Sequence, residues 1–288
     1  MTILPRKFAA LPTALLAFVL LPPLPAFPVV AGEASPWVQG HRSRVRLVAG
    51  GSEADGAARL GGIEIALDPG FKTYWRTPGE SGLPPAFDWS GSENLARADV
   101  LWPAPSRFED AGGVSYGYKD QVLLPVRASA KDPGKPVRLS LRLDYGVCKD
   151  ICIPAQAMLA LDLRGEEAVH GAAIEKALAR VPKPQPLGAP GDLSVLGLEP
   201  TRVEGKLALA VTVRAPSDAD LFVEGPDSWY LGAKAMRAGT EQGSGEFVAE
   251  IFDRPKGAAG RLDLRLTLVA GRRAVETTAS LDLSRLPR

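Results

Sequence analysis

Apolar and polar residues alternate along most of this chain with the two-residue period of strands that bury one face. The clearest run, residues 137–144, sets four aliphatic side chains against two arginines, a serine and an aspartate. Runs of the same kind are bounded by Gly, Pro, Asp or Ser and lie at residues 44–49, 63–67, 97–102, 121–127 and 155–163. About seven such strands before residue 165, without a glycine-rich phosphate loop, predict an all-β fold of the β-sandwich kind.

The alternation stops at residues 166–181, where acidic residues come first, basic residues follow, and apolar residues recur near helical spacing. We predict one helix there. Four prolines and two glycines occur in residues 182–191, which predicts a semi-rigid linker and a domain boundary. Because the alternation then resumes, we expect a first β domain at 35–165 and a second, small β-sandwich domain at 192–288.

The first 34 residues have the order of a secretory signal peptide. Arg6 and Lys7 precede an uncharged run at residues 8–21, and prolines and small residues follow it. The run has 14 residues, against the roughly 20 that a membrane-spanning helix needs. We expect cleavage after Ala31 or Ala34 and export to the periplasm, with an uncleaved anchor as the alternative.

Charge and composition exclude several classes of function. The chain has 34 basic and 33 acidic residues, and a net charge of +1 gives no field that would hold nucleic acid or an anionic membrane. Its two histidines, His41 and His170, lie far apart, and only three methionines occur. We therefore expect no metal site, and we also expect no cofactor.

Residues 113–117 match the G-x-S-x-G pattern of serine hydrolases. That pattern works when a strand, a tight turn and a helix hold the serine above a parallel sheet. Here residues 121–126 have the pattern of a strand, and the only histidine that follows, His170, falls in the predicted helix. We therefore interpret the segment as a glycine-rich connecting loop.

Cys148 and Cys152 are the only cysteines, and three residues separate them in a chain predicted to leave the reducing cytosol. Gly146 and Pro154 favour a turn at the edge of the sandwich, just beyond a strand that ends at Tyr145. Spacing alone leaves open a redox-active pair or a structural disulfide. As a staple so short a ring would add only about 2 kcal/mol, whereas a strained ring suits thiol exchange.

Ordered blocks of sequence precede and include the cysteine pair: TYWRTPGESGLPPAFDWSGSEN at 73–94, VLWPAPSRFE at 100–109, SYGYKDQVLLPV at 115–126 and DYGVCKDICIPA at 144–155. Over roughly residues 36–165 the chain thereby resembles the periplasmic amino-terminal domain of the DsbD and ScsB thiol-disulfide interchange proteins. The stretch at 221–232 resembles, more weakly, the second β domain of ScsB-like members.

The resemblance implies an immunoglobulin-like sandwich that acts as a protein-disulfide reductase without a cofactor. Its cysteine pair would take electrons from a membrane-embedded thiol reductase and pass them to periplasmic thioredoxin-like or other disulfide proteins. Cys152 would form the mixed disulfide with these partners, and Cys148 would resolve it. The competing interpretation is an exported, non-catalytic binding module in which the two cysteines form a structural bridge.

The resemblance also implies a cap over the sulfurs. Glu109 and Asp110 correspond to an acidic pair on the cap loop of the family. The aromatic residue of that cap aligns with Ala111, and Phe108 lies close by, so that shielding of the site by Phe108 is an open point.

Further aromatic residues complete the candidate set. Phe71 and Tyr74 match aromatic positions that line the site, with packing in the core as the alternative role. Tyr145, which ends the strand before the cysteines, is a third candidate for a supporting role.

The chain departs from the resemblance in two ways. The best-known members place five residues between the cysteines, whereas three lie between Cys148 and Cys152, so geometry and redox potential do not transfer. The 288 residues also contain no transmembrane bundle and no C-x-x-C thioredoxin-like domain. We therefore expect a separate membrane protein to supply the electrons, and we expect the second β domain to dock partners.

Overall fold

The computed structural model describes residues 33–285 except 54, 55, 57, 81, 111, 112, 166–168, 240–242, 257 and 259. The signal peptide predicted at residues 1–34, with cleavage after Ala31 or Ala34, thus lies outside the described residues except for residues 33 and 34. Eleven strands precede residue 165: β1 (Val38–Gly40), β2 (Ser43–Ser52), β3 (Arg59–Leu67), β4 (Lys72–Gly79), β5 (Ala86–Asp88), β6 (Leu95–Val100), β7 (Ser106–Asp110), β8 (Gly113–Lys119), β9 (Gln121–Ala130), β10 (Val137–Cys148) and β11 (Cys152–Leu163).

These strands form the two layers of the first sandwich. One sheet has the order β1-β2-β3-β9-β6. The other, which we call the cysteine sheet, has the order β11-β10-β4-β8-β7, with β5 also paired to β10. All of these pairings are antiparallel.

The core of the first sandwich lies between its sheets and follows from the alternation in the sequence. The odd-numbered residues of β10 from Val137 to Val147 are buried in it, and Trp75 of β4 is its largest fully buried side chain. The even-numbered residues of β10 face away from this core. Cys148, the last even-numbered residue of β10, therefore lies on the outer face of the cysteine sheet.

One α-helix, α1 (Gly171–Leu178), packs on the first sandwich. It is shorter than the predicted range, since Val169 and His170 form a turn before it and Glu166–Ala168 lie outside the described residues. Ile174 is fully buried, and its Cδ1 atom occupies the space where a side chain at Gly50 of β2 would lie. The helix thus covers one outer face of the sandwich.

The proline-rich segment 182–191 contributes to the second sandwich instead of only linking to it. Lys183 and Pro184 form strand β12, which pairs in parallel with Val275 and Glu276 at the edge of a sheet, where a proline is tolerated. The remaining elements are β13 (Ser194–Val203), β14 (Lys206–Arg214), β15 (Asp220–Glu224), β16 (Tyr230–Ala233), β17 (Arg237–Ala238), β18 (Ser244–Asp253), β19 (Arg261–Ala270), β20 (Arg273–Asp282) and a 3-10 turn (Leu283–Arg285).

The second sandwich again has two sheets, with the orders β12-β20-β19-β15 and β13-β14-β18-β16, and β17 pairs with β18. It has its own apolar core, whose fully buried members include Leu209, Phe247 and Leu266. The prediction of two β-sandwiches with one helix between them is confirmed for the described residues.

The two sandwiches meet through side chains of β15. Phe222 points out of the second sandwich, is 1% exposed, and packs edge-on against Trp75 and Tyr116 of the first. Three ion pairs flank this contact. Arg76 binds Glu224 and Glu276, and Arg107 binds Asp220 through both of its carboxylate oxygens.

Candidate functional site

The two cysteines face each other across the hairpin that joins β10 to β11. Cys148 is the last residue of β10, Cys152 is the first of β11, and they are direct partners in the strand register. Opposed residues of an antiparallel pair have Cα atoms about 4.5 to 5.5 Å apart, within the roughly 4.4 to 6.8 Å that a disulfide spans. Both residues are free thiols here, and the register lets them form and break a bridge with little backbone movement.

The strand continues further than the sequence predicts. We expected it to end at Tyr145, with the cysteines in a turn beyond it, but β10 runs on to Cys148. Gly146 pairs with Pro154 inside the ladder, so neither residue ends the hairpin. Lys149, Asp150 and Ile151 alone form its tip.

The two sulfurs differ in access. Cys148 is 5% exposed, whereas Cys152 is partly exposed at the start of an edge strand. Ile151 beside it is 75% exposed, which puts an apolar side chain next to the more accessible sulfur. An incoming group therefore reaches Cys152 more easily than Cys148.

Tyr74 contacts the pair directly. Its hydroxyl lies 2.6 Å from Sγ of Cys152, and its ring is buried. Glycines make room for the ring on two sides, because a Cβ atom at Gly82 or Gly146 would lie within 3 Å of ring carbons. Of the two roles that the sequence left open for Tyr74, the geometry favours the one at the site.

The surroundings of the pair shift two pKa values. Burial is the main cause that raises the pKa of the Cys148 thiol, and the neighbouring Cys152 adds to it. The hydroxyl of Tyr74 and, more weakly, the charge of Lys72 act in the opposite direction. Burial and contacts with the cysteines also raise the pKa of Tyr74 well above its usual value. The tyrosine therefore stays protonated and able to donate to a thiolate.

Lys72 is a site residue that the sequence reasoning missed. It stands opposite Cys148 in the register of β4 with β10 and is itself buried. Its ammonium group donates to Asp110 at 2.5 Å and to Oγ of Ser115 at 2.8 Å. The sequence could have indicated this role, because residues two apart in a strand lie on the same face and Lys72 thereby shares a face of β4 with Tyr74.

The predicted cap residues lie beside Cys148. Phe108, Glu109 and Asp110 belong to β7 and line a cavity of about 370 Å³ together with Cys148. The ring of Phe108 lies 4.7 Å from Nζ of Lys119. Ala111, which aligns with the aromatic cap of the family, lies outside the described residues.

Two further candidate aromatic residues pack in or against the core of the first sandwich. Tyr145 is buried in the core of the first sandwich, where its hydroxyl lies 2.8 Å from Oγ of Ser43. Phe71 packs at the edge of that core, and its ring contacts His41 and, at 6.0 Å, Nζ of Lys149. The structure thus brings Cys148, Cys152, Tyr74 and the cap residues together, but it does not bring Tyr145 to them.

The G-x-S-x-G segment is a strand and not the connecting loop that we expected. Residues 113–117 lie within β8, and Ser115 is fully buried with its hydroxyl bound to Lys72. A nucleophilic serine needs an exposed position on a sharp turn, which this residue lacks.

Neither a metal cluster nor a membrane-spanning helix occurs in the part of the chain that the structure describes. No group of three or more His, Cys, Asp or Glu side chains is arranged there to hold a metal ion. No helix there is long and apolar enough to cross a membrane.

Comparisons with known proteins match the first sandwich and the fold of the chain. Residues 44–163 match the model of the family described as thiol:disulfide interchange protein DsbD, N-terminal. The crystal structure of the N-terminal periplasmic domain of ScsB from Proteus mirabilis aligns with a TM-score of 0.68 and 21% identity. This alignment covers 87% of the present chain and 98% of that one, so both sandwiches are shared.

Two further comparisons show no similar protein on which a function could be based. A conserved domain protein from Bacillus anthracis is 11% identical, with 86% of this chain and 91% of that chain covered, but its TM-score is only 0.21. A search of curated protein sequences gives no match.

Residues 44–163 form a β-sandwich domain that is similar to the N-terminal domain of the thiol:disulfide interchange protein DsbD. The chain contains a DsbD/ScsB-like N-terminal domain, as the sequence resemblance predicted. The immunoglobulin-like form of the first sandwich is likewise confirmed.

Proposed function

We propose that this protein is a periplasmic thiol-disulfide interchange protein that carries electrons through Cys148 and Cys152. In this proposal a membrane-embedded thiol reductase reduces the pair, and the pair reduces disulfides of thioredoxin-like or other periplasmic proteins. The observation that carries it is the register of β10 with β11, which places a buried thiol directly opposite a partly exposed one at the tip of the hairpin.

The exchange proceeds in two balanced steps. The thiolate of Cys152 attacks a partner disulfide, so that a mixed disulfide forms and one partner thiolate leaves. The thiolate of Cys148 then attacks Sγ of Cys152, which forms the internal disulfide and releases the second partner thiol. Two electrons and two protons pass to the partner, and the dithiol of the membrane reductase restores the pair.

The contacts of the site support this division of roles. Cys152 is the accessible sulfur, and the hydroxyl of Tyr74 is placed to donate to its thiolate, which is the nucleophile and later the leaving group. Cys148 is buried beside it, where water and foreign thiols have little access. A raised pKa of Cys148 keeps that thiol protonated in the resting dithiol, and its deprotonation then completes the reaction.

Redox titration of the purified protein in glutathione buffers tests the proposal. A working exchange pair is expected to have a potential above about −300 mV, whereas a structural disulfide in an exported protein usually lies below that. A pair that glutathione does not reduce would support the competing interpretation, a binding module with a structural bridge.

Single-cysteine variants test the roles. We expect Cys148→Ala to trap a mixed disulfide with glutathione through Cys152, because the resolving thiol is absent. Cys152→Ala should trap little, since the remaining sulfur is buried. Equal trapping by both variants, measured by intact mass, would contradict the assignment.

Export is part of the proposal, and the structure bears on where the signal peptide ends. Ala34 forms a β-bridge with Val48, and the carbonyl oxygen of Glu33 accepts a hydrogen bond from Ala49. Cleavage after Ala31 keeps these contacts, whereas cleavage after Ala34 removes them. We expect an intact mass that corresponds to a mature chain starting at residue 32.

A further inference from the structure

A cavity lies at the junction of the two sandwiches, close to the cysteine pair. It has a volume of about 860 Å³ and is lined by Glu80 and Gly82 on one side and by Trp229, Tyr230 and Phe252 on the other. Gly82 lies against the ring of the same tyrosine whose hydroxyl contacts Sγ of Cys152. The width of one tyrosine ring therefore separates this cavity from the accessible sulfur.

Two more cavities continue from the first and reach the other sulfur. The second, of about 590 Å³, shares Glu80 and Phe252 with the first and extends to Arg107 and Glu109. The third is the cavity of about 370 Å³ beside Cys148, and it shares Arg107 and Glu109 with the second. We call the three cavities together the trough. It runs from the second sandwich to the pair.

The second sandwich supplies the apolar wall of the trough. Tyr230 is 56% exposed and Phe252 is 52% exposed, although both are large aromatic residues in or next to strands. Trp229 packs partly against the core of the second sandwich beside them. Aromatic side chains at such exposure are typical of contact surfaces, where they bury much area at low entropic cost.

The charge of the trough is predominantly acidic. Its two arginines are already neutralised, because Arg76 binds Glu224 and Glu276 and Arg107 binds Asp220. Lys234 is likewise paired with Glu250. Five acidic lining residues have no ion pair within the described part of the chain: Glu80, Glu109, Asp218, Asp227 and Asp253.

The charge reverses where the trough meets the cysteines. Lys119 and Lys149 line the third cavity next to Cys148, and Lys72 lies there with Asp110 as its partner. A bound segment thus meets positive charge near its reacting sulfur and negative charge further along. This polarity would orient the segment as well as attract it.

We propose that the trough binds an extended segment of the partner disulfide protein, with basic and aromatic residues placed some residues away from its reacting cysteine. This inference rests on the proposed function, since it names the docking partner of the same cysteine pair. Charge complementarity argues for a basic segment, and the aromatic wall argues for apolar side chains within it. The second sandwich is then the part that selects the partner.

Activated peptides test the inference with the full reduced chain. Two peptides of about twelve residues carry one cysteine as a mixed disulfide with thionitrobenzoate and have identical residues next to it. Further along, one carries Lys and Phe and the other Glu and Phe. We expect the basic peptide to release thionitrobenzoate about tenfold faster at low salt, and the ratio to shrink in 0.5 M salt.

Variants then locate the effect in the trough. The triple variant Glu80→Gln, Asp227→Asn, Asp253→Asn should remove most of the advantage of the basic peptide. The reaction with the small disulfide cysteinyl-thionitrobenzoate should stay unchanged. Glu199→Gln is the control, because this exposed glutamate lies on β13, which β14 separates from β18, the strand that carries Phe252 and Asp253. Phe252→Ala should slow both peptides.

The outcomes separate this inference from the proposed function. No reaction with the small disulfide would refute the exchange function. In that case fluorescence anisotropy of a labelled basic peptide with serine in place of cysteine still decides whether the trough binds it. Equal rates and equal binding for the basic and acidic peptides would overturn the inference, and so would full retention of the basic preference in the triple variant. Preference for the acidic peptide would also overturn it.

Discussion

The hydroxyl of Tyr74 lies 2.6 Å from Sγ of Cys152, a residue 78 positions later in the chain. The pairing of β4 with β10 and of β10 with β11 brings the two side chains to the same end of the cysteine sheet. A hydrogen bond from this hydroxyl stabilises a thiolate, and the interaction of the same hydroxyl with Cys148 lowers the pKa of that thiol, which burial raises. This geometry predicts that Tyr74 tunes the thiol pair by direct contact.

Tyr74→Phe should therefore raise the pKa of the Cys148 thiol further. The reason is that the thiolate loses a hydrogen-bond donor, which disfavours its charged form. The pH dependence of alkylation by iodoacetamide, followed by mass spectrometry of the two cysteine peptides, measures the change.

Tyr145→Phe is the matched control for that substitution. It removes a hydroxyl that bonds to Ser43 on the core side of the same sheet, so the thiol titration should stay as in the parent protein. An equal shift in both variants would show that the change acts through the fold and not through the contact with Cys152.

The ion pair of Lys72 with Asp110 predicts that substitutions of its two members shift the pKa of the Cys148 thiol in opposite directions. Lys72→Met removes a positive charge that lowers the pKa of Cys148, so this pKa should rise. Asp110→Asn leaves the charge of Lys72 less compensated, so the pKa should fall. Thiolate absorbance at 240 nm, compared across both variants, gives the two signs. A rise in both variants would contradict this account.

The raised pKa of Cys148 also predicts how stability depends on pH. A thiol that binds its proton more tightly in the folded state contributes fully below the unfolded pKa of about 8.5, and this contribution is lost as the pH rises above it. The reduced protein should thus lose up to about 1.4 kcal/mol per pH unit above pH 8.5 relative to Cys148→Ala. Urea unfolding of both proteins between pH 7.5 and 9.5 measures the difference.

The sequence predicted much of the fold because the strand period is a local signal. The run from Val137 to Leu143 fixes which face of β10 is buried, and the same parity, continued to Cys148, places the cysteine on the opposite face from Tyr145. That parity was available in the sequence. It was missed because Gly146 and Pro154 were interpreted as turn residues, whereas they pair with each other inside the hairpin.

The rest of the site depends on contacts between distant segments. Lys72 acquires its role from its register with Cys148 and from Asp110, which comes from another hairpin. The contact of Phe222 with Trp75 joins the two sandwiches. The sequence of a short strand does not indicate which of the two cores its aromatic residue packs against. Strand periodicity identifies the faces, but it does not identify the neighbours across them.

Gly146 predicts a steric limit next to the pair. A Cβ atom there would lie 2.9 Å from Cδ2 of Tyr74 and 3.0 Å from Cβ of Leu83. Gly146→Ala should therefore displace the tyrosine ring and destabilise the protein by roughly 1 to 3 kcal/mol. In Gly197→Ala, the control, the nearest atom would be 4.0 Å away, so urea unfolding should show a much smaller loss.

The contact between the sandwiches can be tested at Phe222, which is buried between Trp75 and Tyr116 although it belongs to the second sandwich. Phe222→Ala should cost about 3 to 5 kcal/mol of unfolding free energy, as expected for a buried aromatic residue. Phe252→Ala removes an aromatic residue that is half exposed, so it should change stability by only about 0.5 kcal/mol.

The same contact bears on the predicted domain boundary. A fragment of residues 35–181 keeps the first core and the cysteine hairpin but loses Phe222, so we expect it to fold with a reversible disulfide and with a more exposed Trp75. Its tryptophan emission should shift to longer wavelength relative to the full chain, and its stability should resemble that of Phe222→Ala. Aggregation of the fragment beside a soluble Phe222→Ala protein would show that the second sandwich is needed for folding, and that residues 182–191 do not separate independent domains.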